Sequence, residues 1–137
     1  MKIFRFWLPV IVWMAFIFVF SSRQTVQIAD ARWINFVFFK TLHIFEYAVL
    51  YLLSYRAFRN TLENQRPTIW RGLAFLLTVV YAVTDEYHQL FIPTREGKLR
   101  DVIIDSAGAL ISWFLLVKLL PKAPKRLQKW VKIWDII

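Results

Sequence analysis

Acidic, basic and imidazole side chains interrupt three long apolar stretches of this 137-residue chain. In the first of the three, Lys40, His43 and Glu46 follow one another at intervals of three residues, so they share one helix face. The next contains the run Thr-Asp-Glu-Tyr-His-Gln at 84–89. In the last, two aspartates four residues apart also share a face. Because a charge inside a bilayer costs roughly 2.5–3.5 kcal/mol on insertion scales, we interpret these groups as functional candidates.

Imidazole and carboxyl groups are the usual general acids and bases of enzymes. We therefore predict five catalytic residues, namely His43, Glu46, Asp85, Glu86 and Asp105. Five neighbouring groups are predicted to bind substrate, namely Lys40, Tyr47, Gln89, Arg95 and Asp101. An arginine suits this role because it can hold a phosphate or carboxylate with two hydrogen bonds. No nucleophile is evident, since the hydroxyls of Ser21, Ser22 and Thr84 lie at helix ends, where such groups are common caps.

A metal version of the site is a further hypothesis. Zn²⁺ and Mn²⁺ accept histidine and carboxylate ligands, which this region offers in His43, Glu46, Asp85, Glu86 and His88. Their spacing matches no dedicated metal motif, and the chain has no cysteine, so a thiolate site is excluded. A divalent metal thus stays open as a cofactor.

Three readings without catalysis compete with an enzyme. The groups could bind a ligand without reaction, in a pocket with apolar walls and a polar rim. They could relay protons, although the inner halves of the apolar stretches offer no continuous polar path. They could also brace the helices, through pairs such as Lys40 with Glu46 or Arg95 with Asp101. The bracing role suits His88 best and the three acids Asp85, Glu86 and Asp105 least.

The elements that must position these residues are membrane-spanning helices. The chain is 58% hydrophobic, well above the 45–50% of soluble domains, and its three glycines leave little room for tight turns. Four apolar runs each approach the ~20 residues needed to cross a bilayer: 4–20, 36–58, 70–91 and 102–120. The first run could also be read as a signal peptide, although no clean cleavage site follows it. We predict an all-α integral membrane bundle of four transmembrane helices.

The positive-inside rule predicts that both chain termini are cytoplasmic. The inside then carries twelve of the eighteen lysines and arginines: Lys2, Arg5, Arg56, Arg59, Arg66, Arg71, Lys118, Lys122, Lys125, Arg126, Lys129 and Lys132. The outside carries both histidines and seven of the nine acids: Asp30, Glu46, Asp85, Glu86, Glu96, Asp101 and Asp105. This distribution predicts a polar, acidic pocket that opens outward.

The last residues form a separate segment. Pro121 and Pro124 interrupt the fourth helix, and apolar residues then recur at helical spacing opposite a row of lysines. We predict a transmembrane domain over 1–121 and a basic tail over 122–137 that forms an amphipathic helix on the cytoplasmic leaflet. A frayed tail is the alternative.

Four segments, in order, resemble the VanZ-like family of small bacterial membrane proteins. They are Phe20-Ser21-Ser22, Lys40-x-x-His43-x-x-Glu46-Tyr47-x-x-Leu50, Asp85-Glu86-x-His88-Gln89-x-Phe91-x-Pro93-x-Arg95, and Asp101-Val102-x-x-Asp105-x-x-Gly108. The resemblance covers roughly residues 7 to 113. Two positions depart from the usual pattern, because Thr94 stands where the family often has glycine and Asp105 where it often has asparagine.

This resemblance implies a multi-pass protein of the bacterial cytoplasmic membrane. The family's founding member is associated with resistance to the glycopeptide antibiotic teicoplanin, so the expected setting is the cell envelope. No particular reaction is implied, and we expect action on a lipid-linked or cell-wall-related substrate. The expected partners are the lipid bilayer and an envelope lipid or glycopeptide drug. Nucleic acid is not expected, because the basic residues behind the net charge of +9 flank apolar runs. The oligomeric state stays open.

Overall fold

The computed structural model describes residues 2–23, 30–93, 95 and 97–136, and every regular element within these ranges is a helix. The helices are α1 (Lys2–Ser21), α2 (Arg32–Thr61), α3 (Pro67–Gln89), α4 (Leu99–Phe114) and α5 (Lys125–Ile133). A π-helical turn, Leu115–Leu119, and a 3₁₀ turn, Leu120–Lys122, continue α4. The all-α prediction is confirmed.

Four of these helices are long and apolar enough to cross a membrane: Lys2–Ser21, Trp33–Thr61, Pro67–Gln89 and Leu99–Lys122. Their lengths of 20, 29, 23 and 24 residues reach the ~20 residues that a bilayer core requires. The four predicted spans are therefore confirmed. The third ends two residues earlier than predicted, because the chain turns after Gln89, where Leu90, Phe91 and Ile92 each donate to a carbonyl three residues back.

Helix α2 lies at the centre of the bundle and contacts α1, α3 and α4. Small residues allow the helices to approach closely, and four alanines are completely buried: Ala57, Ala74, Ala82 and Ala109. The outer surface carries exposed phenylalanine, leucine and isoleucine side chains, such as Phe4, Ile11, Leu76 and Ile103. An apolar surface of this extent on a span-length helix is a lipid-facing surface.

The bundle has two chemically different ends. The basic end carries the start of α1, the connection 62–66 and α5, and contacts between Lys2 and Glu63 and between Arg5 and Asp135 join these parts. The acidic end carries the end of α1, the start of α2, the loop 90–98 and the start of α4. Successive spans alternate in direction, so α2 and α4 both run from the acidic end to the basic end.

The predicted amphipathic tail helix is present as α5, and its end is fixed to the bundle. Arg56 Nε donates a 2.6 Å hydrogen bond to the carbonyl of Trp134, and Asn60 Nδ2 donates a 2.9 Å bond to the carbonyl of Asp135. The Asp135 carboxylate lies 3.0 Å from Arg5 Nη2. These contacts were not foreseen from the sequence, because nothing local to the tail indicates which residues it meets. That α5 lies on the cytoplasmic leaflet stays a prediction.

Candidate functional site

Close packing between the parallel helices α2 and α4 sets the geometry of the candidate site. A Cβ atom on Gly108 would lie 2.2 Å from the carbonyl oxygen of Ile44 and 3.1 Å from the backbone nitrogen of Ala48. One turn further along α4, Ser112 Oγ donates a 3.0 Å hydrogen bond to the carbonyl of Ala48. Small residues four apart permit this approach. Three residues before Gly108, the same face of α4 presents Asp105 to α2.

The imidazole of His43 lies between two carboxyl groups. Its Nδ1 atom is 3.8 Å from Glu46 Oε2 and 3.8 Å from Asp105 Oδ1. Both distances exceed those of a hydrogen bond, and neither His43 Nδ1 nor Asp105 Oδ1 has a hydrogen-bond partner. The side chain of Asp105 is only 1% exposed. The structure thus brings together three of the five predicted catalytic residues, in a buried place where their polar atoms are not satisfied by one another.

An ion pair joins α2 and α4 one helical turn closer to the acidic end. Lys40 Nζ lies 2.9 Å from Asp101 Oδ2, so these two predicted substrate-binding residues are each other's partners. The sequence suggested that Lys40 pairs with Glu46. This is wrong, because the partner of Lys40 is Asp101. The reason is the register of α2 on α4, because Lys40 is one turn before His43 just as Asp101 is one turn before Asp105. Lys40 therefore lies opposite Asp101, and His43 lies opposite Asp105.

Asp85 is the centre of a hydrogen-bonded network between α1, α2 and α3. Its carboxylate accepts bonds from Ser21 Oγ at 2.5 Å, Gln89 Nε2 at 3.1 Å and Tyr47 Oη at 3.4 Å. Asp85 itself is 3% exposed. Three donors on one carboxylate are a well-satisfied arrangement. Asp85 therefore differs in kind from Asp105, although the sequence placed both in one catalytic set.

Ser21 is the residue of this network whose part the sequence reasoning missed. It was interpreted as a helix-end cap, and its hydroxyl does contact the carbonyl of Phe18 in its own helix at 3.2 Å. The shorter bond, however, goes to Asp85 on α3. A signal was present, because Phe20-Ser21-Ser22 is one of the family-like segments. The predicted cluster drew on three helices, and α1 is a fourth contributor.

Arg95 folds back over the acidic end and contacts α1 and α3. Its guanidinium donates to the Gln89 side-chain oxygen at 3.3 Å and to the carbonyl of Arg23 at 3.0 Å. The suggested pair with Asp101 is wrong, since Asp101 contacts Lys40 and its neighbour Arg100. Arg95 thus joins the Asp85 network through Gln89 and fastens the end of α1 to the loop.

Glu86 holds the loop that leads into α4. Its Oε1 atom accepts a 2.7 Å hydrogen bond from the backbone N–H of Lys98. A Cβ atom on Gly97 would lie 2.7 Å from the carbonyl oxygen of Glu86, so the loop passes very close to α3 here. The neighbouring positions Thr94 and Glu96 lie outside the described residues. Glu86 is 6% exposed and its described contact is to the loop backbone.

The residues proposed for a metal do not assemble into a metal site. His88 packs its ring against Phe18 of α1 at a centroid distance of 4.3 Å, and its Nδ1 atom has no hydrogen-bond partner. Asp85 and Glu86 are engaged separately, with the Ser21 hydroxyl and the Lys98 backbone. Within the described part of the chain, no group of three or more histidine, aspartate or glutamate residues could hold a metal ion. The candidate set therefore does not fit a metal.

Comparisons with known proteins agree with this picture at the level of the family. The family model described as VanZ/LLP1 matches residues 6–120, which is most of the chain and includes every residue of the site. No curated protein and no solved structure matches the chain. The roles of the individual site residues therefore rest on their geometry alone.

Proposed function

We propose that this chain, which belongs to the VanZ/LLP1 family and spans a membrane with four helices, is an enzyme of the bacterial cell envelope. Its substrate is a lipid-linked or cell-wall-related molecule, and His43, Glu46 and Asp105 act as the general acid–base groups of its reaction. The site opens to the outside of the cytoplasmic membrane, with both chain termini in the cytoplasm. A link to glycopeptide (teicoplanin) resistance is part of the proposal.

One observation carries the proposal. His43 Nδ1 lies between two carboxyl oxygens, at 3.8 Å from each, and no hydrogen bond joins them. A buried polar atom without a partner costs about 1–3 kcal/mol, so folded proteins rarely leave two such atoms, here His43 Nδ1 and Asp105 Oδ1, side by side. A general acid or base must exchange its proton with the substrate, and a group already bonded within the protein is less free to do so.

The pair of Lys40 with Asp101 shows what a brace looks like in the same interface. It joins the same two helices one turn away, at 2.9 Å, and its charges compensate each other. A purely structural role for His43 would produce a comparable contact. The contrast between the Lys40–Asp101 pair and the His43–Asp105 pair therefore supports a general acid–base role for His43 and a bracing role for Lys40.

The other predicted residues have supporting roles in the proposal. Asp85 accepts hydrogen bonds from Tyr47 of α2 and Ser21 of α1, so it holds these helices in place beside the cluster. Arg95 supplies positive charge at the acidic end, which suits a phosphate or carboxylate on the substrate. Gln89 orients Arg95. Glu86 holds the loop and so keeps Arg95 in reach.

Turnover by purified protein in proteoliposomes tests the proposal. The probes are a polyprenyl-diphosphate-linked glycan and teicoplanin, each assayed for binding and for chemical change by mass spectrometry. We expect His43→Gln and Asp105→Asn each to lower turnover about a hundredfold or more, with binding retained. The control is Glu63→Gln, which removes an exposed acid at the basic end. Unchanged turnover and binding in both site variants would remove the proposed role of the cluster.

Non-catalytic binding of an envelope lipid or lipoglycopeptide antibiotic is the second candidate function. The observation that favours it is the ring of exposed large apolar side chains around the acidic end, where Tyr87 is 63%, Phe91 68% and Leu99 77% exposed. Acyl chains of a ligand would pack on such residues while its polar part meets the cluster. Binding without chemical change in the wild-type protein, lost in Asp105→Asn, would favour this function over catalysis.

A further inference from the structure

A cavity of about 360 Å³ lies toward the basic end, and Ser112, one turn along α4 from Gly108, is among the residues that line it. Its walls are apolar and come from Leu52 of α2, Leu115, Leu116 and Leu119 of the π-helical turn, and Leu127 and Val131 of α5. This volume lies within the range of sites that bind small molecules. A cavity with such walls favours a hydrocarbon occupant over water.

The sequence explains why α4 leaves space here. Pro121 has no backbone N–H, so it cannot donate to the carbonyl of Val117, and its ring opposes a regular helix. The preceding turn is π-helical, and Leu120 N–H bonds to the carbonyl of Leu115, five residues back. A π turn is wider than an α turn and is often found at functional sites. Its leucines form one side of the cavity.

The fixed position of α5 forms the other side. Asp135 adopts a left-handed backbone conformation, with φ of 54°, and this reverses the chain after α5. Its carboxylate is held by Arg5 at 3.0 Å, and its carbonyl by Asn60. Ile136 then returns to the cavity wall. Because the tail is fastened at this point, Leu127 and Val131 are held over the space and the cavity is preformed.

The segment that encloses the cavity has a strongly one-sided charge. Between Asp105 and Asp135 the chain contains no acid and six basic residues, all of them exposed: Lys118, Lys122, Lys125, Arg126, Lys129 and Lys132. Asp135, the nearest acid beyond them, contacts Arg5 and Arg56 instead. Positive charges at the membrane surface attract anionic lipids by about 1 kcal/mol each. The apolar cavity matches the acyl chain of an anionic phospholipid, and the basic surface beside it matches the phosphate.

We infer that the cavity between α2, the π-helical turn and α5 binds an acyl chain of an anionic phospholipid, whose phosphate lies against Lys122 and Lys125. Lys122 directly precedes Ala123, which is part of the cavity wall, and Lys125 follows it by two residues; both lysines are exposed. The inference concerns the basic end alone. It does not depend on catalysis at the acidic end.

Native mass spectrometry of the purified full chain tests the inference. Phosphatidylglycerol and phosphatidylcholine with identical acyl chains are added separately, and their dissociation constants are compared. We expect one phosphatidylglycerol to bind more tightly than phosphatidylcholine. In Lys122→Gln/Lys125→Gln the affinity for phosphatidylglycerol should fall about fivefold for each charge removed, while phosphatidylcholine binding is unchanged. The matched control is Arg59→Gln/Arg66→Gln, which removes two charges at the same end, one from the last turn of α2 and one from the connection after it.

A second variant tests the cavity itself. Val131→Trp places an indole in the space and should lower the affinity for both lipids at least tenfold. The control is Leu76→Trp, which adds an indole on the lipid-facing side of α3, where Leu76 is 58% exposed. Equal affinity of the wild-type protein for the two lipids would overturn the role of charge. Unchanged binding in Val131→Trp would overturn the cavity as the place where the chain lies.

Discussion

At the scale of residues, the difference between two neighbouring levels of one interface is the most informative feature. Lys40 and Asp101 form an ordinary ion pair, whereas His43 and Asp105, one turn further along the same helices, leave buried polar atoms without partners. Residue types alone do not distinguish these levels, since both offer a base and an acid. The distances do, because Asp101 is paired with Lys40 whereas a buried carboxyl oxygen of Asp105 has no hydrogen-bond partner.

The bond from Ser21 to Asp85 makes a prediction at this scale. Ser21→Ala removes the shortest of the three donors to a buried carboxylate, and we expect a loss of about 1–2 kcal/mol in the free energy of unfolding. Thermal unfolding in detergent measures it. Ser22→Ala is a matched control, because that hydroxyl bonds to the carbonyl of Phe18 in its own helix. Equal effects of the two substitutions would contradict a structural role for the bond to Asp85.

At the scale of elements, the parallel packing of α2 and α4 decides which residues meet. Gly108 and Ser112 are the small residues at the contact, and the helices approach until a backbone carbonyl lies where a side chain of residue 108 would be. The register fixed there carries Asp105 to His43 and Asp101 to Lys40. The site is therefore a consequence of an interface, and its geometry should change if the interface opens.

Gly108→Ala tests this dependence. The added Cβ would meet the backbone oxygen of Ile44 at 2.2 Å, and because backbone cannot rotate away, the helices must separate. Overpacking of this kind costs about 1–3 kcal/mol, which thermal unfolding would reveal, and the turnover or binding assigned to His43 should fall with it. Gly72→Ala is the control, since nothing lies within 4 Å of a Cβ atom there. An equally stable and active Gly108→Ala variant would show that the close approach is not required.

At the scale of the whole molecule, charge divides the bundle. The basic end carries the six exposed cations between Asp105 and Asp135, five of them in the tail, and the acidic end carries the candidate site. Such a division orients a membrane protein, because lysine and arginine are retained on the cytoplasmic side. It also separates the two proposed activities, with proton chemistry at one end and anionic lipid at the other.

Orientation in the membrane follows as a prediction. A cysteine at Lys98, in the loop before α4, should react with an impermeant maleimide on intact cells, and a cysteine at Asn64, in the connection after α2, should react only after the cells are opened. The chain has no native cysteine, so no background label is expected from the protein. The reverse labelling would place the candidate site in the cytoplasm and remove the envelope substrate from the proposal.

The sequence by itself determined the fold class, the four spans and the stripes of polar residues on single helices. These features are local, because helical geometry alone decides that residues three or four apart share a face and that ~20 apolar residues cross a bilayer. Gly108 ends one of the family-like segments, and the structure places it where α2 and α4 approach most closely in the site.

Only the tertiary structure decided which residues pair. Lys40 contacts Asp101, Ser21 reaches Asp85, Arg95 bonds Gln89, and Arg56 and Asn60 fasten the tail. Each of these contacts joins different elements, so it depends on the rotation and register of one helix against another. Those are fixed by the sum of packing over the whole interface. The candidate site is built across α1, α2, α3 and α4. For that reason the sequence shows only its residue types, and the structure shows how they are arranged.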